Sequence, residues 1–482
     1  MMAITPLTNL ENLTTIFSQI NLTRRQQKYL TDFIIRYNKK NQKSKELAQA
    51  NRSVLADNKT FIDFHLPLKE LFYPLVTQQS FGSKIRDIDG NEYIDLVMGF
   101  GVNLFGHNPP FIKEAILEQL NKGIQLGSQP EFIGEVANLI SELTRTKRVA
   151  FSNTGTEAVM TAIRLARTVT GRNKIVIFSN SYHGHFDGTL GKAKTIDNQL
   201  QTVAISPGTP SNYLQDILVL EYGSDRALQL IKEYRQELAA VLVEPVQTSQ
   251  LNLQPKAFLQ QLRQITKDSK IALIFDEMVT GFRIHPGGAQ AWFEIEADIV
   301  TYGKIVGGGL PIGIIAGKAE YLDAIDGGMW NYGDLSSPQV ITTFFAGTYC
   351  KHPLAIASAK AVLEHLKTQG ATLQQELNER TSKFIDALNA YFEREQLPLY
   401  MTNFGSVFGP VSLDNDYEED DEEYSELSLV FALLYYHLLF KGVMLRGNGG
   451  FLSTAHTEEA LNYILQAVRE SISELREGEF LS

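Results

Sequence analysis

The sequence predicts an α/β fold: a mostly parallel sheet with helices on both faces, joined to a second, smaller α/β lobe. Two observations carry this. Strand-length apolar runs at 174–178 (KIVIF), 240–243 (AVLV), 271–275 (IALIF) and 314–316 show no polar alternation, as expected of strands buried on both faces. From about residue 115 onward such runs alternate with helical patterns, the signature of β-α-β units. At 482 residues the chain exceeds one simple core and suits two or three interlocked lobes.

Taken in order, residues 1–55 are polar. Within 23–48, Tyr29, Phe33, Ile34 and Tyr37 fall at helical spacing on a basic helix, which reads as a linker or docking arm. Residues 82–95 (GSKIRDIDGNEYID) alternate around an Asp-Gly-Asn turn, a hairpin signal. A helix is predicted over 156–170, with Val159, Ile163, Ala166 and Val169 on one face and Gly171 as its stop. Pro255 opens another through Phe258, Leu262 and Ile265. After about 346 the pattern becomes a long helix, a strand-like patch near Val407, an acidic run at 414–423 (DNDYEEDDEE) and a final helix. The acidic run has no apolar face, so a solvated loop is expected, with a docking surface as the alternative.

Composition narrows the function classes. The chain is 44% hydrophobic and 21% charged, an ordinary globular balance. Its formal charge of −11 supplies no general attraction to phosphates and argues against a nucleic-acid partner. Cys350 is the only cysteine, so intrachain disulfides are excluded and a reducing compartment is expected. No Cys/His signature surrounds it, and it reads as a packed small residue. Neither a secretory signal nor a membrane-length apolar run is apparent, so a cytoplasmic protein without a membrane partner is expected.

The chemistry gathers around Lys304, set between glycines in 301–313 (TYGKIVGGGLPIG). The run at 271–275 delivers Asp276 at its carboxyl end. A strand-end carboxylate followed by a glycine-bracketed lysine is what pyridoxal phosphate requires. The lysine forms the Schiff base, and the carboxylate keeps the pyridine nitrogen protonated so that the ring serves as an electron sink. Thr154, Gly155 and Thr156, where a strand meets a helix, suit the cofactor phosphate. The two threonines equally suit plain helix caps. Tyr182 is expected to stack on the ring, with His183 in a supporting role and Gly184 letting the loop pass close. Val279 packs the opposite face, and Thr348 beside Gly347 offers a further phosphate contact. Arg283 is open between holding a substrate carboxylate or phosphopantetheine phosphate and a structural ion pair. Glu244 is open between facing substrate and a buried ion pair. His107, His183 and His185 lack metal-ligand spacing, and no metal is expected.

This order of phosphate turn, aromatic, strand-end Asp, lysine and Gly-Thr resembles the class III aminotransferases of the fold-type I pyridoxal-phosphate superfamily. Residues 276–283 (DEMVTGFR) are similar to glutamate-1-semialdehyde aminomutase. Three further stretches, 98–109 (MGFGVNLFGHNP), 285–291 (HPGGAQA) and 327–330 (GGMW), resemble the aminotransferase domains of hybrid polyketide and nonribosomal peptide synthetases. The resemblance implies a large, mostly parallel, seven-stranded-type α/β/α domain and a smaller α/β domain built from both chain ends. The corresponding division is a helical arm at 1–55, the small domain's first segment at 56–115, the cofactor domain at 116–345 and the small domain's remainder at 346–482. It also implies a homodimer with shared active sites, Thr348 reaching the neighbouring subunit's cofactor phosphate. The activity implied is ping-pong amine transfer from an amino acid donor to a β-keto acyl thioester on an acyl carrier protein. Alternatives are an aminomutase, or an aminotransferase acting on a small free keto acid or aldehyde. A non-catalytic scaffold of the same fold is a further rival, which Lys304, Asp276 and the phosphate turn together argue against.

Overall fold

A computed structural model describes residues 22–57, 64–197, 199–411, 426–445, 447 and 449–481; the acidic run at 414–423 lies outside them. The chain divides into two compact units. One comprises residues 101–104 and 109–412, the other 1–100, 105–108 and 413–482.

The first unit is built on one sheet. Its strands are β1 (Arg148–Ser152), β2 (Lys174–Phe178), β3 (Ile217–Leu220), β4 (Leu238–Val243), β5 (Ala272–Asp276), β6 (Ile299–Gly303) and β7 (Gly313–Gly317). They lie in the order β1-β7-β6-β5-β4-β2-β3. The pairs β3–β2, β2–β4, β4–β5 and β5–β6 are parallel, while β7 runs antiparallel to both β6 and β1. Strands β4 to β7 are buried throughout, which is why their sequences show no alternation.

Helix α1 (Gly155–Thr170) begins at Thr154, whose side chain accepts the Glu157 N–H, and stops at Gly171, left-handed at φ 68°. Its Ala158, Val159, Ala162, Ile163 and Ala166 join Ile274, Ile299 and Ile315 in the core. Each buried Val or Ile there contributes roughly 1.5–3 kcal/mol. Helix α2 (Lys256–Ser269) follows Pro255.

The sequence-based boundary at 346 differs from the observed units, because residues 346–412 belong with the sheet. Helices α3 (Pro353–Gln369) and α4 (Thr372–Arg394) explain this. Ser358 on α3 donates to the Gly307 carbonyl, and on α4 Gln374 and Asn378 donate to the carbonyls of Phe282 and Ile284. These helices therefore hold the loops that follow β5 and β6.

The second unit carries a four-stranded sheet of Thr77–Phe81, Lys84–Asp87, Glu92–Asp95 and Val443–Met444, in that order. The Asp-Gly-Asn hairpin is present, with Ile85 opposite Tyr93 and Gly90 at φ 90°. The N-terminal arm, expected as a linker or docking arm, packs within this unit. Its helices, Arg24–Lys40 and Gln42–Asn51, bury Leu30, Phe33, Ile34 and Tyr37 within this unit. Phe33 stacks on His437 at 4.0 Å, and Asp89 of the hairpin accepts the N–H groups of Lys43 and Ser44.

Candidate active site

Parallel strands collect their chain ends along one edge, and register shows which residues meet there. Gly313 pairs with both Ser152 and Gly303, Asp276 with Thr301, and Phe275 with Val243. The turn after β1, the lysine after β6, the carboxylate of β5 and Glu244 after β4 therefore share the carboxyl edge of the sheet. In open α/β sheets this is where ligands bind. Gly313 is sterically required, since a Cβ would lie 2.1 Å from the Thr154 carbonyl oxygen.

Lys304 directly follows β6 and opens a short 3₁₀ turn, Lys304–Gly307. Its φ of 46° places a side-chain-bearing residue in the left-handed region, a strained conformation held by its surroundings.

Asp276 is buried, and its carboxylate is organised by three donors. His183 Nδ1 lies 2.8 Å from Oδ2. Thr301 Oγ1 and the Met278 N–H donate to Oδ1 at 3.0 and 3.3 Å. His183 is itself only 3% exposed, and a carboxylate only accepts, so Nδ1 carries the shared proton. Neither the His183 contact nor the Thr301 contact was legible in the sequence, because 93 and 25 residues separate the partners.

Two further acids are buried. Glu277 accepts the N–H groups of Ala289 and Gln290 and the Thr280 hydroxyl, which closes the 277–290 loop. Burial pushes its carboxyl up to about 7. Glu244 accepts the Tyr182 N–H at 2.7 Å. Burial pushes it up to about 7 as well, the His183 charge pulling it down and the Asp276 charge adding to the rise.

The residues expected at the phosphate divide by role. Thr154 spends its side chain capping α1. Thr156 Oγ1 lies under the His183–Gly184–His185 turn and accepts the His185 N–H at 3.4 Å. A Cβ on Gly184, at φ 82°, would lie 2.3 Å from that hydroxyl, so this close approach requires glycine. Tyr182 is 68% exposed, its ring open to a stacking partner. Val279 is half-buried and Thr348 exposed.

Arg283 departs from the substrate-binding option. It is 1% exposed, and its guanidinium donates to Ser406 Oγ at 2.8 Å and to the Gly101 carbonyl. Burial pushes it down to about 9. It ties together three stretches of its own unit and does not face solvent.

These donors fit pyridoxal phosphate. The N-terminus of the 16-residue helix α1 presents N–H groups with no intrahelical partner to an anion. Asp276 is a pre-oriented carboxylate for a cationic ring nitrogen, Tyr182 offers an open aromatic face, and Lys304 an amine. Among the described residues no cluster of His, Cys, Asp or Glu is suited to a metal ion, and no helix is long and apolar enough to cross a membrane.

Comparison with known proteins agrees with this chemistry. The family described as "Aminotransferase class-III" matches residues 68–455. Over 409 residues the chain is 34% identical to glutamate-1-semialdehyde 2,1-aminomutase of Alkaliphilus oremlandii (strain OhILAs), covering 84% of this chain and 92% of that protein. Among solved structures, an omega-transaminase from Sphaerobacter thermophilus superposes with a TM-score of 0.78 at 28% identity, over 90% of this chain and 98% of the other. A β-phenylalanine aminotransferase from Variovorax paradoxus gives 0.77 at 27% identity, over 94% and 98%.

Proposed function

The chain belongs to the class III aminotransferases, pyridoxal-phosphate enzymes of fold type I, and from that premise we propose that it moves an amino group at the carbonyl carbon of a small aldehyde or keto acid. The observation that carries this reading is the shared strand edge. Lys304 stands three residues beyond Thr301, the register partner of Asp276, so amine and carboxylate come from neighbouring strands. The similarity to glutamate-1-semialdehyde 2,1-aminomutases supports a short amino aldehyde as the first substrate to offer.

When bound, pyridoxal phosphate supplies an electron sink for a carbanion next to nitrogen. The protein's part follows from its own residues. Asp276, steadied by His183, Thr301 and Met278, would hold the ring nitrogen protonated through a charge-assisted hydrogen bond. The first N–H groups of α1 and the Thr156 hydroxyl would hold the phosphate. Tyr182 and Val279 would cover the two ring faces. Lys304 would anchor the carbonyl carbon and, once released, carry a proton between substrate carbon and cofactor. Burial of Asp276 and Glu244 excludes water from the ring-nitrogen side.

A homodimer is part of this proposal. Met329, Tyr332, Leu335, Ile341, Phe344 and Tyr349 are exposed within one segment, an apolar patch that a second copy would cover. Thr348 lies in the same segment and would reach the partner's phosphate.

The test is to offer glutamate 1-semialdehyde with no other amine. Formation of the isomer with its amine moved from carbon 2 to carbon 1 supports the aminomutase form. A strict need for a second amino donor makes the protein a transaminase.

A second reading, amination of a β-keto acyl thioester on a carrier protein, draws on a separate observation. The helices Arg24–Lys40 and Gln42–Asn51 precede the family match at residue 68, and Arg24, Lys28, Arg36 and Lys39 on the first are exposed. An acidic carrier would dock there. Charge reversal of these residues should then raise KM for carrier-bound substrate and spare a free thioester. Turnover of free substrate alone retires this reading.

A further inference from the structure

The ends of β4 and β5 hold two buried carboxylates side by side. Val243 and Phe275 are register partners, so Glu244 and Asp276 leave the sheet at the same step. Adjacent strands lie about 4.8 Å apart. Glu244 is 6% and Asp276 4% exposed. Two carboxylates so placed oppose each other's ionisation. The turn after β2 meets both. Tyr182 donates its N–H to Glu244 at 2.7 Å, and His183 pairs with Asp276 at 2.8 Å. The other ring nitrogen of His183, Nε2, is buried without a hydrogen-bond partner among the described residues.

The two acids are not equivalent. Asp276 is served by His183, the Thr301 hydroxyl and the Met278 N–H. Glu244 is served by the main-chain N–H groups of Tyr182 and Thr248. The better-solvated acid keeps its charge, and the other takes the proton that both cannot give up.

We propose that Glu244 is a positioning residue for Asp276: by accepting that proton it keeps Asp276 ionised and paired with His183, and by losing it when a cationic ring nitrogen binds, it adds a second negative charge beside that cation. The proposal rests on the assignment of Asp276 to the cofactor nitrogen. The rise of Glu244 to about 7 under burial is consistent with it. The titratable groups facing Glu244 are His183 on the turn, Asp276 on β5 and Tyr222 beyond β3. Tyr222 is buried, donates to the Pro245 carbonyl and is held neutral by that burial. His183 and Asp276 are thus the charges that set the behaviour of Glu244.

The test uses pyridoxamine 5′-phosphate, which binds without a bond to Lys304. Calorimetric titrations between pH 6 and 8.5, in buffers of different ionisation heat, give affinity and protons exchanged. Glu244→Gln keeps an acceptor for the Tyr182 N–H and mimics the protonated acid. It should match wild type at pH 6, fall roughly tenfold behind by pH 8.5, and lose a proton release centred near pH 7. Glu244→Ala, which removes the acceptor, should bind more weakly at every pH. Wild type and Glu244→Gln running parallel throughout, with equal proton counts, overturns the proposal and leaves the cofactor assignment standing. Absence of binding in every form overturns both. Imidazole ¹⁵N spectra of the cofactor-free protein add a readout that does not depend on the cofactor. The His183 signal at pH 8.5 should differ between wild type and Glu244→Gln, and identical spectra there overturn the proposed coupling.

Discussion

Ser358 donates its hydroxyl to the carbonyl of Gly307 across 2.8 Å, with the serine fully buried. This bond ties helix α3 to the turn that begins at Lys304. Ser358→Ala removes one of two donors to that carbonyl, which keeps the Leu310 N–H at 3.0 Å, a loss of about 0.5–1.5 kcal/mol. A lower Tm is expected, and faster cofactor loss on dialysis, because the lysine turn loses its brace. An unchanged Tm together with unchanged cofactor retention would show that the turn is held elsewhere.

Lys304→Ala should remove turnover while the fold survives. The half-buried side chain lies at the edge of the sheet and supplies no core volume. Loss of a positioned acid–base group alone costs about 10²–10⁴-fold. The visible absorption that borohydride bleaches should disappear with it. Activity above about a thousandth of wild type contradicts the assignment.

Asp276→Asn keeps the shape and a hydrogen-bonding oxygen but removes the charge. Cofactor should still bind, and proton abstraction should slow strongly. A normal solvent-exchange rate at the substrate carbon would sink the role given to this carboxylate.

Gly184→Ala should separate the loop from the phosphate turn. The added methyl meets Thr156 Oγ1 at 2.3 Å, on a backbone already at φ 82°. Cofactor affinity should drop and excess pyridoxal phosphate should restore much of the activity. Thr156→Val should behave likewise, with a loss of roughly 1–3 kcal/mol in cofactor binding. Thr348→Val should match it only if a second subunit completes the site, so a silent Thr348→Val rejects the shared-site dimer.

Acid stability should depend on His456. Burial pushes it down to about 4, so between that value and its ordinary 6.5 the folded protein binds fewer protons than the unfolded chain. Its contribution is therefore present above pH 6.5 and is lost as pH falls through 4, roughly 3 kcal/mol in all. Glu244 and Glu277, pushed up to about 7, act oppositely: their contribution is present below pH 4.5 and is lost as pH rises through 7. His456→Asn should be less stable than wild type at pH 8, and denaturant titrations should show that gap narrowing toward pH 4.5. A gap independent of pH would mean that His456 acts by packing alone.

Much of the site was legible as sequence because its chemistry rests on local rules. A strand buried on both faces has to read as an apolar run, so 271–275 announced β5 and set Asp276 at its end. Gly171 after a 3.6-residue apolar period announced where α1 stops, and small residues before it marked an anion-binding start. What the sequence left open was decided by contacts between distant residues. Only the fold brings His183 and Thr301 onto Asp276, or sets Glu244 level with it on the next strand. Only packing turned the apolar face of the basic arm inward, where Phe33 meets His437, and moved residues 346–412 to the sheet through Ser358, Gln374 and Asn378. Only burial took Arg283 out of contention for a substrate carboxylate. Periodicity and turn chemistry act over a few residues, and one sequence displays them. Hydrogen bonds across 25 to 93 residues of chain depend on strand order and register, and these come into being when the sheet assembles.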